Sequence, residues 1–100
     1  MLVPDELLFS VLIRAHGASA SPPPWGDISA LLGRMKHTWG VAPGTTTYNA
    51  LLEICAANND YERGCSLIDR MLEEGVRPDA FTVAAVAGRK SLRSYLRRGM

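Results

Sequence analysis

Apolar residues fall at three- and four-residue steps through most of the chain, and each run is closed by residues that end helices. The clearest case lies in residues 45–79. Thr45, Thr46 and Thr47 offer an N-cap, and Tyr48, Leu51, Leu52 and Cys55 then lie along one helical stripe. Asn58 and Asn59 close that helix, because asparagine tolerates the left-handed backbone a helix end needs. Asp60 caps a second helix, striped by Tyr61, Gly64, Cys65, Ile68, Met71 and Leu72, and Gly75 and Pro78 end it. The absent side chain at Gly64 lets another helix come close. The pattern predicts a helical hairpin whose apolar face is too large for one hairpin to cover, so like units must stack on it.

The chain carries such units. Leu8-Phe9-Ser10-Val11-Leu12-Ile13 corresponds to Thr47-Tyr48-Asn49-Ala50-Leu51-Leu52, Leu31–Met35 to Leu67–Met71, and Gly40-Val41-Ala42-Pro43 to Gly75-Val76-Arg77-Pro78. The offsets are 39, 36 and 35 residues. A first unit over 6–44 therefore follows the plan of 45–79 with four extra residues, three between its helices and one near the end of its second helix. Residues 1–5 match the end of a preceding unit. Residues 80–100 begin another, interrupted at Gly88, with Ser91 placed to cap a short basic helix. Trp25 corresponds to Tyr61, and both are expected in the hairpin core. The fold expected is all-α, antiparallel helix–turn–helix hairpins stacked as a solenoid fragment.

Composition changes little: 47% apolar and 21% charged residues suit a folded body. Charge is more informative. Residues 1–79 hold six Lys/Arg against ten Asp/Glu, whereas residues 80–100 hold Arg89, Lys90, Arg93, Arg97 and Arg98 and no acid. Such a tail favours an anionic partner, with Arg93 and Arg97 on one helical face as candidate phosphate contacts. Cys55 and Cys65 fall on apolar helical positions and fit a reduced compartment. No run is long and apolar enough to cross a bilayer, and residues 1–9 resemble neither a signal nor a transit peptide, so an import segment is expected to be absent from this stretch.

The Thr47-Tyr48-Asn49-Ala50-Leu51-Leu52 opening, Met71-Leu72-Glu73-Glu74-Gly75-Val76 and the Arg77-Pro78-Asp79 ending resemble the pentatricopeptide repeat family. The resemblance implies a right-handed α-solenoid that binds single-stranded RNA in an organelle, about one base per unit, along the face of the first helices. It implies a chloroplast location, with the mitochondrion as the alternative, and other organellar RNA-processing proteins as further partners. It makes Asn49 and Asp79 the base-selecting pair of the complete unit and associates that pair with uracil. At the same places the first unit has Ser10 and Gly44, and the third has Ala84. Gly44 has no side chain with which to orient a base, and Ala84 cannot hydrogen-bond one. Leu7, Thr46 and Phe81 occupy the positions that sandwich bases.

Catalytic chemistry is not expected. His16 and His37 stand without Cys or acid partners at metal-ligand spacing, no serine or threonine has an activating His/Asp set, and Gly40, Gly44 and Gly75 occur singly. No enzyme, cofactor, metal or small-molecule substrate is expected. The alternative function is a helical-repeat scaffold making protein–protein contacts in an organellar ribonucleoprotein, favoured by the acidic body, Gly44 and Ala84.

Overall fold

The computed structural model describes residues 5–99, and among them all regular structure is helical. In chain order, α1 spans Glu6–Ala18, α2 Trp25–Gly33, α3 Thr45–Ala57, α4 Tyr61–Glu73, α5 Ala80–Val86 and α6 Lys90–Gly99, with a π turn at Arg34–Thr38 directly after α2. Helices α1, α3 and α5 lie side by side as one layer, and α2, α4 and α6 each fold back on the helix before them as a second. The body measures 42 × 30 × 19 Å, and its shortest dimension is two helix diameters of about 10 Å. This is the stacked-hairpin architecture the periodicity predicts. The expected end of a preceding unit lies outside the described residues except for Asp5, whose carboxylate caps α1 by accepting from the Leu8 N–H at 2.9 Å.

Local signals explain most helix ends. The Asp60 carboxylate accepts from the Arg63 N–H and starts α4, Asn59 takes the left-handed conformation at φ 53°, and the Asn58 amide donates to the Ile54 carbonyl at the end of α3. Gly75 ends α4 with φ 73°, a region open to glycine because it lacks a Cβ. Two expected caps are corrected. The N-cap of α3 is Gly44, which has no side chain to offer, so none of Thr45–Thr47 serves. Ser91 lies inside α6, because the Arg89 carbonyl already accepts the first helical bond, from the Arg93 N–H.

The four extra residues of the first unit sit in two places. Six residues separate α1 from α2 where three separate α3 from α4. The longer linker leaves α2 standing off from α4, with an open cleft of about 170 Å³ between them lined by Trp25, Leu32, Leu51, Arg63, Leu67 and Arg70. The Arg63 guanidinium spans this gap, 4.2 Å from the centre of the Trp25 ring. The remaining extra residue is taken up by the π turn. In α4 the Val76 N–H returns to the Met71 carbonyl at 2.9 Å. In the first unit the Val41 N–H returns to the Met35 carbonyl at 2.8 Å across one residue more. Both methionines are fully buried, and Gly40 is left-handed like Gly75. A wider turn therefore absorbs the insertion without moving either anchor.

The core centres on α3, which lies between α1 and α5 with α4 behind it and buries residues on nearly every side. Gly64 meets its expectation. It is buried, and a Cβ there would stand 2.5 Å from a Leu92 methyl, so its bareness is what lets α6 settle on α4. Cys55 is buried in this core, and burial pushes its thiol up to about 12, which keeps it protonated and inert at neutral pH. Cys65 is only half-buried. Trp25 packs against the core, but Tyr61 does not: it is exposed and meets Tyr95 of α6 edge-on, with ring centroids 6.5 Å apart.

Candidate nucleic-acid interface

The junction between α3 and α5 brings the expected base-selecting pair together. The Asn49 amide donates to Asp79 Oδ1 at 3.1 Å, and its carbonyl accepts from the Thr82 hydroxyl. Asp79 is also the N-cap of α5. Its Oδ1 accepts from the Thr82 N–H at 3.0 Å while its own N–H donates to Thr82 Oγ1 at 3.0 Å, a reciprocal capping box. The backbone N–H of Thr82, ahead of the Asn49 amide, holds the Asp79 carboxyl below the usual carboxylate range, although partial desolvation opposes it. Asp79 is exposed, whereas Asn49 is 4% exposed. The pair is thus one preorganised unit, and solvent reaches it mainly from the carboxylate side.

The junction between α1 and α3 is built differently. Gly44 leaves the start of α3 without a cap of its own, and Glu6 from the first turn of α1 supplies one. Glu6 Oε2 accepts from the Gly44 N–H, from the Thr47 N–H at 3.2 Å and from the Thr47 hydroxyl at 2.8 Å. Ser10, one turn further along, is buried and donates to its own helix at the Leu7 carbonyl, 2.7 Å away. It makes no side-chain hydrogen bond across the junction.

The positions expected to sandwich bases fall at corresponding places on α1, α3 and α5. Leu7 is 63% and Phe81 75% exposed, and Thr46 between them is half-buried. Phe81, two residues after Asp79, is the most exposed large apolar side chain of the described residues, and Leu7 lies on the far side of α3 from the Asn49–Asp79 pair. Ala84 is exposed on the same layer. The basic residues sit elsewhere. Arg93 and Arg97 are exposed on α6, in the second layer, and Arg89 is spent internally, donating from Nε to the Ala56 carbonyl at 2.6 Å at the end of α3. The structure therefore gathers Asn49, Asp79, Leu7, Thr46 and Phe81 on the first-helix layer and leaves Arg93 and Arg97 off it.

Residues 43–86, which contain this pair and the whole of α3, α4 and α5, match the PPR repeat family. This chain belongs to the pentatricopeptide repeat family. It is similar to a chloroplastic pentatricopeptide repeat-containing protein of Arabidopsis thaliana, 40% identical over 74 residues, which are 74% of this chain and 9% of that protein. A second Arabidopsis thaliana pentatricopeptide repeat-containing protein is 30% identical over 83 residues, 83% of this chain and 10% of its own length. The chain thus spans about a tenth of each relative.

Two residues that build these junctions, Thr82 and Glu6, do not stand out in the apolar pattern of the sequence. Thr82 ties Asn49 to Asp79, and its signal was present: a threonine three residues after an aspartate, at the start of an apolar run, is a capping box. Glu6 bonds to residues about 40 positions away, which no local pattern announces. Among the described residues no group of three or more His, Cys, Asp or Glu could hold a metal ion, and no helix is long and apolar enough to cross a membrane.

The lowered Asp79 acidity has a measurable sign. A carboxylate more acidic folded than unfolded adds stability above its unfolded value and loses it as pH falls through the folded value. Thermal melts taken downward from neutral pH should show stability falling from about pH 4. Asp79→Asn, which can still cap α5, should flatten that decline. An Asp79→Asn profile parallel to wild type would mean that other carboxylates carry the effect.

Proposed function

We propose that this pentatricopeptide repeat segment binds single-stranded RNA along the layer of first helices and that its complete unit prefers uracil through Asn49 and Asp79. The observation that carries this is the coupled Asn49–Asp79 pair with the exposed Phe81 ring at the same helix start. One N–H of the Asn49 amide and one lone pair of its carbonyl have no protein partner among the described residues, and the exposed Asp79 carboxylate beside them is held by the Asn49 amide and by backbone N–H groups at the start of α5. Because Asn49 is 4% exposed, a base would meet the pair chiefly at the Asp79 carboxylate, whose orientation the Asn49 amide already fixes. Phe81, and more weakly Leu7 and Thr46, would lie against the faces of the bases. Ser10 is internally bonded and would contribute to its own position only by shape. Arg93 and Arg97, in the second layer, would act by attracting the strand's phosphates rather than by shaping the groove. The chloroplast is the proposed setting, by similarity to the relative whose name carries that word, with other RNA-processing proteins as partners.

The test is a titration of the chain with U-rich and scrambled single-stranded RNAs at two salt concentrations. Phe81→Ala should weaken RNA binding about tenfold, as loss of one stacking surface does, with an unchanged melting temperature. Asn49→Ala should abolish the preference for U-rich over scrambled RNA. Binding no tighter than that of an unrelated acidic protein would instead favour the helical scaffold.

A further inference from the structure

We propose that Glu6 is a specificity-determining residue of this chain, supplying at the first junction the carboxylate that Gly44 cannot. The proposal rests on the RNA-binding reading above.

The two junctions differ in sequence and agree in chemistry. At the second, one oxygen of Asp79 holds the Thr82 N–H at 3.0 Å and lies 3.1 Å from the Thr82 hydroxyl. At the first, one oxygen of Glu6 holds the Thr47 N–H at 3.2 Å and the Thr47 hydroxyl at 2.8 Å. Thr47 and Thr82 are the third residues of α3 and α5. All three bonds to Glu6 fall on Oε2, and its second oxygen, Oε1, has no protein partner among the described residues.

The two carboxylates also claim the same space. A Cβ built on Gly44 would stand 2.9 Å from Glu6 Oε2 and 3.0 Å from Oε1, closer than such atoms pack. The Glu6 carboxylate thus fills the volume that a side chain at position 44 would need. Asp5 and Asp79 cap α1 and α5 from the residue before each helix, and only α3 of this layer receives its carboxylate from the neighbouring helix. Gly44 leaves open the space that the Glu6 carboxylate occupies.

A carboxylate accepts hydrogen bonds and donates none, so Oε1 favours a base edge rich in N–H groups. Guanine offers two adjacent N–H donors on its Watson–Crick edge, where adenine presents an acceptor at the ring nitrogen. The first unit should therefore discriminate guanine from adenine although its own position 44 is bare.

The experiment uses the whole chain and short RNAs in which uracil faces the complete unit and the neighbouring nucleotide is guanine or adenine. Wild type should bind the guanine RNA at least fivefold more tightly. Glu6→Gln keeps the cap, since glutamine still accepts from Thr47, but it turns the free acceptor into an N–H₂ donor. It should erase or reverse that ratio while the uracil preference survives. Gly44→Asp should lower the melting temperature by forcing two carboxylates into one site, and Glu6→Thr with Gly44→Asp should restore both melting temperature and discrimination. An unchanged guanine-to-adenine ratio in Glu6→Gln, with uracil preference intact, overturns the role of Glu6 and leaves RNA binding standing. Loss of measurable RNA binding by wild type overturns both.

Discussion

Leu52→Ala should cost the chain about 3 kcal/mol of stability, the middle of the range for a buried leucine that leaves its cavity behind. Leu52 is fully buried on α3, and α3 is packed by α1, α5 and α4 at once. Neighbours held from three directions cannot close in on the vacated volume, so the cavity persists. In a domain of this size each kcal/mol moves the melting temperature by about 4–8 °C, so the midpoint should fall by more than about 10 °C. Urea denaturation followed by far-UV circular dichroism measures this directly. Leu12→Ala, on the exposed side of α1, serves as the control and should change stability little. A loss below about 1 kcal/mol for Leu52→Ala would contradict the central position of α3.

The second large effect concerns a single hydroxyl. Thr82→Val keeps the shape of a fully buried side chain and removes its oxygen. That oxygen donates to the Asn49 carbonyl and accepts from the Asp79 N–H, so the buried carbonyl is orphaned and the half-buried N–H loses its partner too. An orphaned buried polar group costs about 1–3 kcal/mol, and a loss of about 2 kcal/mol is expected here. Thr82→Ser retains the hydroxyl and should lose much less. Hydrogen exchange at the Asp79 amide adds a local readout, since its protection should fall in Thr82→Val and persist in Thr82→Ser. Equal behaviour of the two variants would mean that packing, rather than the hydroxyl network, fixes the Asn49–Asp79 pair.

What the sequence disclosed and what it hid divide along a physical line. Helix ends governed by residues within four positions were visible: Asp60, Asn59 and Gly75 each act on their own helix. The stacking of hairpins was visible too, because the stripes on residues 45–79 are wider than one hairpin can cover. Hidden were features set by distant neighbours. Tyr48, Leu51, Leu52 and Cys55 marked one face of α3, yet Thr47, Asn49, Ala50 and Ile54 are buried as well, because helices pack on several of its sides. Periodicity reports an apolar stripe and is silent about polar residues enclosed by a second and third helix. Glu6 was hidden for the same reason, since its partners Gly44 and Thr47 reach it only after α1 and α3 dock. Tyr61 failed as a core residue because its ring lies at the edge of the α4–α6 contact, where it meets only the edge of Tyr95.

The π turn at Arg34–Thr38 bears on how such a chain can change over time. It takes in one extra residue while Met35 stays buried and Gly40 keeps the left-handed bend of its counterpart Gly75. A length change in the second layer is thereby cancelled before the chain re-enters the first. One added residue is thus accommodated at the back of the molecule while the buried anchor beside it holds its place, much as an expansion joint lets one part of a bridge lengthen without shifting its piers.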